Sequence, residues 1–332
     1  MIAGMKKLTL AATTGDIDRL VRELVWLESV EVIEQASDAE LPPGLYACDN
    51  AQNTAALERD LTRLAAASET LAPFGSGKKG KMLPEALTRA EFEALDADVE
   101  KALVLAARVE DLTKDRAAFK AKIAKAENEI ASLAPFLLYP QPIALNETRK
   151  TVIFKGTFPK ALTGDAIFQK LAATEIDYGL EFYGAGGEFN YVCAAVLKSD
   201  AEAFGKALAD AGFARIVFKD MRGSAAEETE RLKGEIAETR KAFADADETL
   251  RELAKSRGLL DKAYDLLSAR TVREKVKGTL RATQSTALLS GWVPDIYRDK
   301  VEKVLDGFAC CYSFEEPKED EKVPVKLINK KL

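Results

Sequence analysis

The residues of this sequence that could do chemistry are its cysteines and two groups of glycines, because the chain contains no histidine. Histidine is the commonest general base near neutral pH and the commonest transition-metal ligand. The absence of histidine therefore excludes most known arrangements of catalytic residues. The cysteines, at positions 48, 193, 310 and 311, show no Cys-x-x-Cys spacing. Cys310 and Cys311 are neighbours on a predicted strand and should point to opposite faces, which suits neither a metal site nor a disulfide.

A cysteine nucleophile would need a lysine or a carboxylate as its base, and nothing in the sequence selects one. The carboxylates are spread over helical faces with Lys and Arg three or four residues away, a pattern typical of solvated helices. We therefore predict a reduced, cytosolic protein with no catalytic residue and no metal site.

The first glycine group formally matches two phosphate-binding motifs. Gly75, Gly77 and Gly80 fit Gly-x-Gly-x-x-Gly, and residues 75–81 fit the start of a P-loop. Met82, however, stands where a P-loop carries the Ser or Thr that holds magnesium, and a predicted helix rather than a strand precedes the motif. The second group, residues 184–187, lies between two predicted strands, as a hairpin turn would. We expect no nucleotide site and no cofactor.

Composition narrows the class of protein further. The chain has 332 residues, of which 47% are hydrophobic and 31% charged, so it can fold into two or three packed parts. A net charge of −6 provides no positive field for nucleic acid, which we exclude as a main partner. The uncharged stretch at residues 131–146 contains three prolines and is not expected to span a membrane.

Apolar periodicity predicts two lobes and a long helical arm. The first residues give strand, helix, strand, and so do residues after 283. We expect these two parts to complete one split proximal lobe, residues 1–72 plus 283–318. Residues 135–222 give strand, helix, strand, strand, helix, strand, which is the ferredoxin-like order of a distal lobe. The predicted fold is α+β: two small ferredoxin-like lobes joined by an antiparallel coiled-coil arm, a dumbbell.

The arm is predicted at residues 88–134 plus 223–280, where apolar residues alternate spacings of three and four. That spacing is a coiled-coil seam, and we expect the two long helices to pair with each other. Arg116 and Arg257 occupy seam positions. Each either meets a carboxylate across the pair, with Glu100 as one candidate for Arg257, or extends to solvent.

A short repeat suggests that both lobes are built alike. Gly156 and Pro159 follow one predicted strand, and Gly291 and Pro294 follow another; a helix comes after each pair. Glycine permits a sharp exit from a strand, and proline is suited to the first turn of a helix. We therefore predict structural turns at these four residues.

Aromatic residues supply the candidate contact surface. Either a partner interface or ordinary packing explains them. They are Tyr178, Phe182, Tyr183, Phe189 and Tyr191 in the distal lobe, and Trp292 after the second long helix.

The tail, residues 319–332, loses apolar periodicity and carries several lysines. It is either disordered or a segment that leads to a membrane domain, because cations next to a membrane helix lie on the cytoplasmic side of the bilayer.

Several features of the sequence, taken together, carry a resemblance to a known family. They are MKKLTL with its strand–helix–strand unit, the two seams around a small lobe, SGWVPDIYRDKVEKVL and the tail VPVKL. With these features the chain resembles the N-terminal cytoplasmic half of subunit I, called subunit a in eukaryotes, of rotary V/A-type ATPases. The resemblance covers the whole chain, and its most specific element is the Gly-Trp-Val-Pro segment at residues 291–294. It implies a non-catalytic stator component on the cytoplasmic face of a membrane complex. It also implies partners: the peripheral-stalk E and G subunits, the central-stalk socket, the membrane ring and a C-terminal membrane domain.

Two other classes of function were weighed against this one. A free-standing soluble scaffold or regulatory protein remains an alternative, because ferredoxin-like lobes often bind small molecules between helices and sheet. A nucleic-acid-binding arm would need a basic face on one helix, and the mixed charges of both helices argue against it.

Overall fold

The computed structural model of the chain describes residues 3–33, 44–47, 50–75, 88–186, 188–319 and 321–326. The chain divides into two compact units, residues 1–111 with 250–332, and residues 112–249. Among the residues that the structure describes, no helix combines the length and the apolarity needed to cross a membrane.

The chain mixes helices with two antiparallel sheets, which confirms the predicted combination of helix and sheet. The strands are β1 (Met5–Thr13), β2 (Glu31–Val32), β3 (Tyr46–Ala47), β4 (Thr151–Pro159), β5 (Tyr178–Gly186), β6 (Phe189–Leu197), β7 (Ala214–Arg215), β8 (Arg281–Ala282), β9 (Thr286–Pro294) and β10 (Cys310–Glu315). The α-helices are α1 (Ile17–Leu27), α2 (Ala51–Leu71), α3 (Arg89–Glu93), α4 (Asp96–Leu133), α5 (Gly164–Ala172), α6 (Ala201–Asp210), α7 (Ala225–Ala254), α8 (Arg257–Thr279) and α9 (Arg298–Leu305).

Both ends of the chain contribute to the sheet of the first unit. β1 pairs antiparallel with β10 on one side and with β9 on the other, and β9 also pairs with β2 and β8. Leu8 and Leu10 alternate along β1 and are fully buried, because alternate residues of a strand share one face. They form one apolar cluster with inward residues of β9, α1 and α9, namely Leu289, Val293, Leu20, Val21, Leu24, Val301 and Leu305.

The sheet of the second unit has the order β5-β6-β4-β7, with every pair antiparallel. Helices α5 and α6 cover one face, where Phe158 packs with Ile167 and Phe204. The opposite face packs against the end of α4, the start of α7 and the segment between α4 and β4, around Phe136 and Tyr139. The sheet is therefore buried on both faces.

The two sheets share one strand order. In the first unit, β1, β2, β9 and β10 stand as β10-β1-β9-β2; in the second, β4, β5, β6 and β7 stand as β7-β4-β6-β5. Each sheet thus places its fourth strand beside the first, the first beside the third, and the third beside the second. In both, a helix follows the first strand and another follows the third.

Capping residues explain where two helices begin. Thr88 and Glu91 form a reciprocal cap at α3: the Glu91 amide donates to Thr88 Oγ1, and the Thr88 amide donates to Glu91 Oε2 at 2.8 Å. Ser224 and Glu227 make the same pair of bonds before α7. This arrangement satisfies amides that have no partner inside the helix.

Helix α4 follows the predicted seam. Every predicted seam position is buried or half-buried, including Arg116. The Arg116 side chain lies 2.5 Å from a carboxylate oxygen of Asp247 on α7, and its guanidinium stands 5.0 Å from the centre of the Phe243 ring. Lys122 pairs with Glu235 at 2.9 Å. The expected carboxylate partner of Arg116 is therefore present.

The second long helix differs from the prediction. It is broken after Ala254, and α8 starts at Arg257 and packs along α2. Ser68 of α2 donates to Asp261 at 2.7 Å, and Lys275 pairs with Glu58 at 2.8 Å. The expectation that the two long helices pair with each other is thus incomplete for α8, which contacts α4 through Arg270 and Asp96 but also packs along α2. The first predicted helix is likewise interrupted, between α3 and α4.

Arg257 illustrates the packing of α8 along α2. Its Nε donates to Ser68 Oγ at 2.9 Å, and it lies 4.0 Å from Asp261 on its own helix. Glu100 is not its partner, so that candidate was wrong. Tyr264, also a predicted seam residue, is exposed.

Gly156 and Gly291 lie inside strands rather than in turns, so the predicted turns at these residues were wrong. Gly156 stands opposite Arg215 of β7, and a Cβ atom there would overlap the Ala214 carbonyl and the Phe213 ring. Gly291 stands opposite Val32 of β2. A Cβ atom on Gly291 would lie 2.8 Å from Val30 Cγ1 and 3.0 Å from Glu31 O. Each glycine therefore admits the chain segment that forms a two-residue neighbouring strand.

The two prolines of the repeat end these strands. Pro159 is the last residue of β4, and a loop follows before α5 begins at Gly164. Pro294 is the last residue of β9 and directly precedes a 3₁₀ turn at Asp295–Tyr297. The predicted turns are therefore observed after both prolines, since the Leu162 amide donates to the Pro159 carbonyl at 3.0 Å, although Pro159 does not initiate a helix.

Gly156→Ala should destabilise the second unit by about 1–3 kcal/mol, because the added methyl group has no space beside Phe213. Gly179→Ala is the matched control, since no atom lies within 4 Å of a Cβ atom built there on β5 of the same sheet. We expect the control to change the free energy of unfolding by less than about 0.5 kcal/mol. Urea unfolding followed by circular dichroism measures both; equal effects would contradict the close-approach role.

Candidate partner interface

The predicted aromatic contact residues divide between the inside and the outside of the second unit. Tyr183 and Tyr191 pack against Phe136, with ring centroids 6.4 and 5.8 Å apart. Tyr178 stacks on Phe204, which is fully buried, at 5.1 Å. These three tyrosines belong to the two apolar clusters of the sheet. Their side chains therefore pack inside the second unit.

Phe182 and Phe189 are the two predicted contact residues that remain open. Their exposed fractions are 43% and 45%. The Phe182 ring meets Phe168 of α5 edge to face, with centroids 6.3 Å apart, and Phe168 is itself 42% exposed. We call Phe168 and Phe182 the aromatic pair. Phe189 begins the next strand opposite Gly186 and makes no ring contact with Phe182.

The position of Phe182 on β5 makes the aromatic pair a candidate contact surface. β5 is an edge strand of nine residues, and edge strands present unpaired backbone groups that can bind another chain. The pairing of β5 with β6 shifts register between Phe182 and Gly184, so the strand carries a bulge. Bulges bend and twist a strand locally and often occur at functional edges.

Trp292 is only 5% exposed. It stands on β9 between Lys7 of β1 and Glu31 of β2. Its burial favours the packing alternative, because a partner could reach the indole ring only after the sheet rearranged. The role of Trp292 in an interface stays a prediction.

Lys155 is a buried cation that the sequence analysis did not single out. It is 1% exposed, and its Nζ donates to the Leu145 carbonyl and lies 5.6 Å from the centre of the Tyr139 ring. Cys193 is its register partner on β6. Burial lowers the pKa of Lys155 and raises those of Cys193 and Tyr139. A buried thiol with a raised pKa is a poor nucleophile. The sequence of β4 carries no alternation that would have revealed this position, because six consecutive residues of the strand are buried.

The remaining predicted motifs fall in different places. Cys310 is half-buried and Cys311 exposed, so the expectation of opposite faces is confirmed. Cys48, Gly187, the glycine motif beyond Gly75 and the last six residues of the tail lie outside the described residues. Within the described ranges, no cluster of three or more His, Cys, Asp or Glu side chains is placed to hold a metal ion.

A cavity of about 810 Å³ lies in the first unit between helices and sheet. Its wall includes Leu24 of α1, Ala55 of α2, Val272 and Val276 of α8, and Leu289 of β9. Charged side chains also line it, among them Glu28, Glu58 and Lys275. A volume of this size is typical of small-molecule sites.

Comparison with solved structures found similar folds, of which one is described here. No family model matches the sequence, and no curated protein matches it. A crystal structure of the cytoplasmic N-terminal domain of subunit I, homologue of subunit a, of V-ATPase aligns with 93% of this chain and 99% of its own length. The sequences are 19% identical over the alignment, and the TM-score is 0.44.

Phe182→Ala should lower the free energy of unfolding by less than about 1 kcal/mol, because much of this side chain is already in water. Tyr191→Ala should lower it by about 2–4 kcal/mol, because its ring packs against Phe136 inside the unit. Urea unfolding of the two variants measures the difference. Comparable losses would show that Phe182 is a core residue and would remove it from the candidate interface.

Proposed function

We propose that this chain is a stator component of a rotary V/A-type ATPase, the non-catalytic cytoplasmic part of the subunit that anchors the peripheral stalks. In this role it resists torque during ATP-coupled transport of protons or sodium ions. The proposed partners are the E–G heterodimers, the central-stalk socket and the membrane ring, and the proposed location is the cytoplasmic face of the membrane.

One observation carries the proposal: the six-stranded sheet built from both chain ends contains the same four-strand order as the four-stranded sheet built from the segment inserted between them. The apolar pattern of the sequence predicts this division into a split lobe and an inserted lobe, and the resemblance implies a proximal lobe, a distal lobe and a helical arm. The strand order supports ferredoxin-like lobes in both units. The two lobes and the arm between them complete the proposed dumbbell.

The helices of the chain suit a mechanical role. Helix α4 has 38 residues, which at 1.5 Å per residue gives about 57 Å, far more than an ordinary domain helix. In the second unit, Arg116 pairs with Asp247, and Arg240 donates to Glu127 at 2.9 Å, so α7 runs antiparallel to α4. Charged pairs between helices fix their register.

Purified E–G heterodimer should bind the chain, weakly at each lobe, since a motor held at several attachments gains strength by avidity. We expect Phe182→Ser to weaken binding at least tenfold, because Phe182 extends from an open strand edge. Leu197→Ser is the matched control, a half-exposed residue at the far end of the same sheet. Biolayer interferometry measures both. No binding of the unaltered chain at high concentration would contradict the stator role.

Small-angle scattering tests the proposed dumbbell separately. A compact globule of 332 residues has a radius of gyration of about 20 Å. Lobes separated by a long arm should give a markedly larger radius. A profile with the compact value would exclude the dumbbell while leaving the binding experiment to decide the partner.

The cavity in the first unit favours a second function, a regulatory scaffold that binds a small ligand. Its walls are mostly apolar, and it lies between helices and sheet, as the alternative predicted. The signature of this function would be a ligand-dependent rise in melting temperature without affinity for the E–G heterodimer.

A further inference from the structure

A second cavity of the first unit, about 510 Å³, has an unusual concentration of cations. It lies between α1, α2 and α8, on the side of the α2–α8 pair opposite the apolar cavity. Four positively charged and two negatively charged side chains line it: Arg22, Arg270, Arg273, Lys277, Asp18 and Glu274.

Both carboxylates that line this cavity already form ion pairs with Lys277. Lys277 Nζ lies 2.6 Å from an Asp18 oxygen and 2.8 Å from a Glu274 oxygen. Arg270 pairs with Asp96, which lies outside the cavity lining. Of the residues that the structure describes, no acidic side chain besides Asp18 and Glu274 lines the cavity.

Arg22 and Arg273 are the arginines left without adequate partners. The nearest carboxylate to Arg22 is Glu23, at 3.8 Å, and Arg89 already holds Glu23 through two hydrogen bonds of 2.6 and 2.7 Å. In the part of the chain that the structure describes, Arg273 makes neither a hydrogen bond nor an ion pair. The Nε atoms of both arginines are buried and have no acceptor among the described residues.

The surroundings of Arg273 disfavour its charge. Burial lowers its pKa, Glu93 raises it at longer range, and the neighbouring Arg22, Arg270 and Arg89 lower it again. Arginine nevertheless remains protonated in proteins. A buried N–H group of a cation without an acceptor is strongly unfavourable, and in native proteins such groups usually meet water or an ion.

We propose that this cavity binds a phosphate-bearing anion through Arg22, Arg270 and Arg273. A phosphate group in this cavity neutralises the excess positive charge of the lining and accepts hydrogen bonds from its guanidinium groups. The planar guanidinium group matches phosphate oxygens in a two-bond arrangement, which lysine cannot provide. The volume admits a compound larger than inorganic phosphate. The inference depends on the arginines alone and goes beyond the stator role.

Pyrophosphate is the probe for this site. Calorimetric titration into the full chain in phosphate-free, low-salt buffer should show one saturable site and a raised melting temperature. Arg273→Gln should weaken binding at least tenfold. Arg59→Gln, an exposed residue of α2 outside the cavity lining, should bind as the unaltered chain does.

A stability measurement separates ligand binding from a purely structural role of Arg273. Without phosphate, Arg273→Gln should keep or raise the melting temperature, because it removes a half-buried charge that has no hydrogen bond or ion pair among the described residues. Arg22→Gln should weaken pyrophosphate binding as well, which provides a second variant if the first fails to fold.

Vesicles distinguish the source of the phosphate group. Pyrophosphate binding without co-sedimentation on phosphatidylglycerol vesicles assigns a soluble compound. Co-sedimentation that Arg273→Gln abolishes, and that phosphatidylcholine vesicles do not reproduce, assigns a lipid headgroup; both results support a phosphate site. Absence of saturable binding to either probe, or binding that Arg273→Gln leaves unchanged, would overturn the proposal.

Discussion

The pairing of β1 with β9 is the interaction on which the first unit depends. Its register runs from Met5 opposite Pro294 to Thr13 opposite Thr286, so it joins strands from opposite ends of the chain. Helices α1 and α9 pack onto these two strands through the same apolar cluster. The pairing closes a loop that contains the whole second unit, and loop closure must precede the contacts that stabilise it. The second unit, continuous in sequence from residue 112 to residue 249, can therefore fold before the first is complete.

Buried Lys155 and half-buried Arg273 show how differently the protein surrounds a positive charge. Lys155 donates to the Leu145 carbonyl and lies beside the Tyr139 ring, so its surroundings supply both an acceptor and a favourable aromatic face. Arg273 has three other arginines near it and no hydrogen bond in the described part of the chain. Lys155 is accounted for by the fold alone. Arg273 is not, which is why the inferred anion belongs to its cavity.

Local patterns predicted those features that depend on one segment at a time. The seam of α4 follows from its spacing of apolar residues, and Arg116 could be expected to meet a carboxylate because it interrupts that seam. The break before Arg257 lacked such a signal, since neither Lys255 nor Ser256 excludes a helix. The pairing of α8 with α2 was missed for the same reason.

Other features could not be predicted because they depend on three-dimensional neighbours. A glycine three residues before a proline indicates either a turn or a site where another chain segment comes close to the backbone. Only the position of the adjacent strand shows which of the two applies. Likewise, Arg22 and Arg273 look like ordinary helical charges until α1 and α8 are placed side by side. The candidate contact surface was partly foreseen: the aromatic residues were identified, but which rings face solvent depended on the faces of the sheet.

The two strand glycines also bear on how the protein avoids sticking to itself. β4 lies inside its sheet because β7 covers its outer side, and β7 reaches it through the space beside Gly156. A larger residue there would displace β7 and turn β4 into a second open edge, with backbone groups ready to pair with another molecule. Gly291 has the same relation to β2 in the first unit. The two glycines therefore matter for solubility as well as for the fold. A variant with a larger residue at either position, if it still folds, would form intermolecular sheet more readily than a variant altered on an exposed helix.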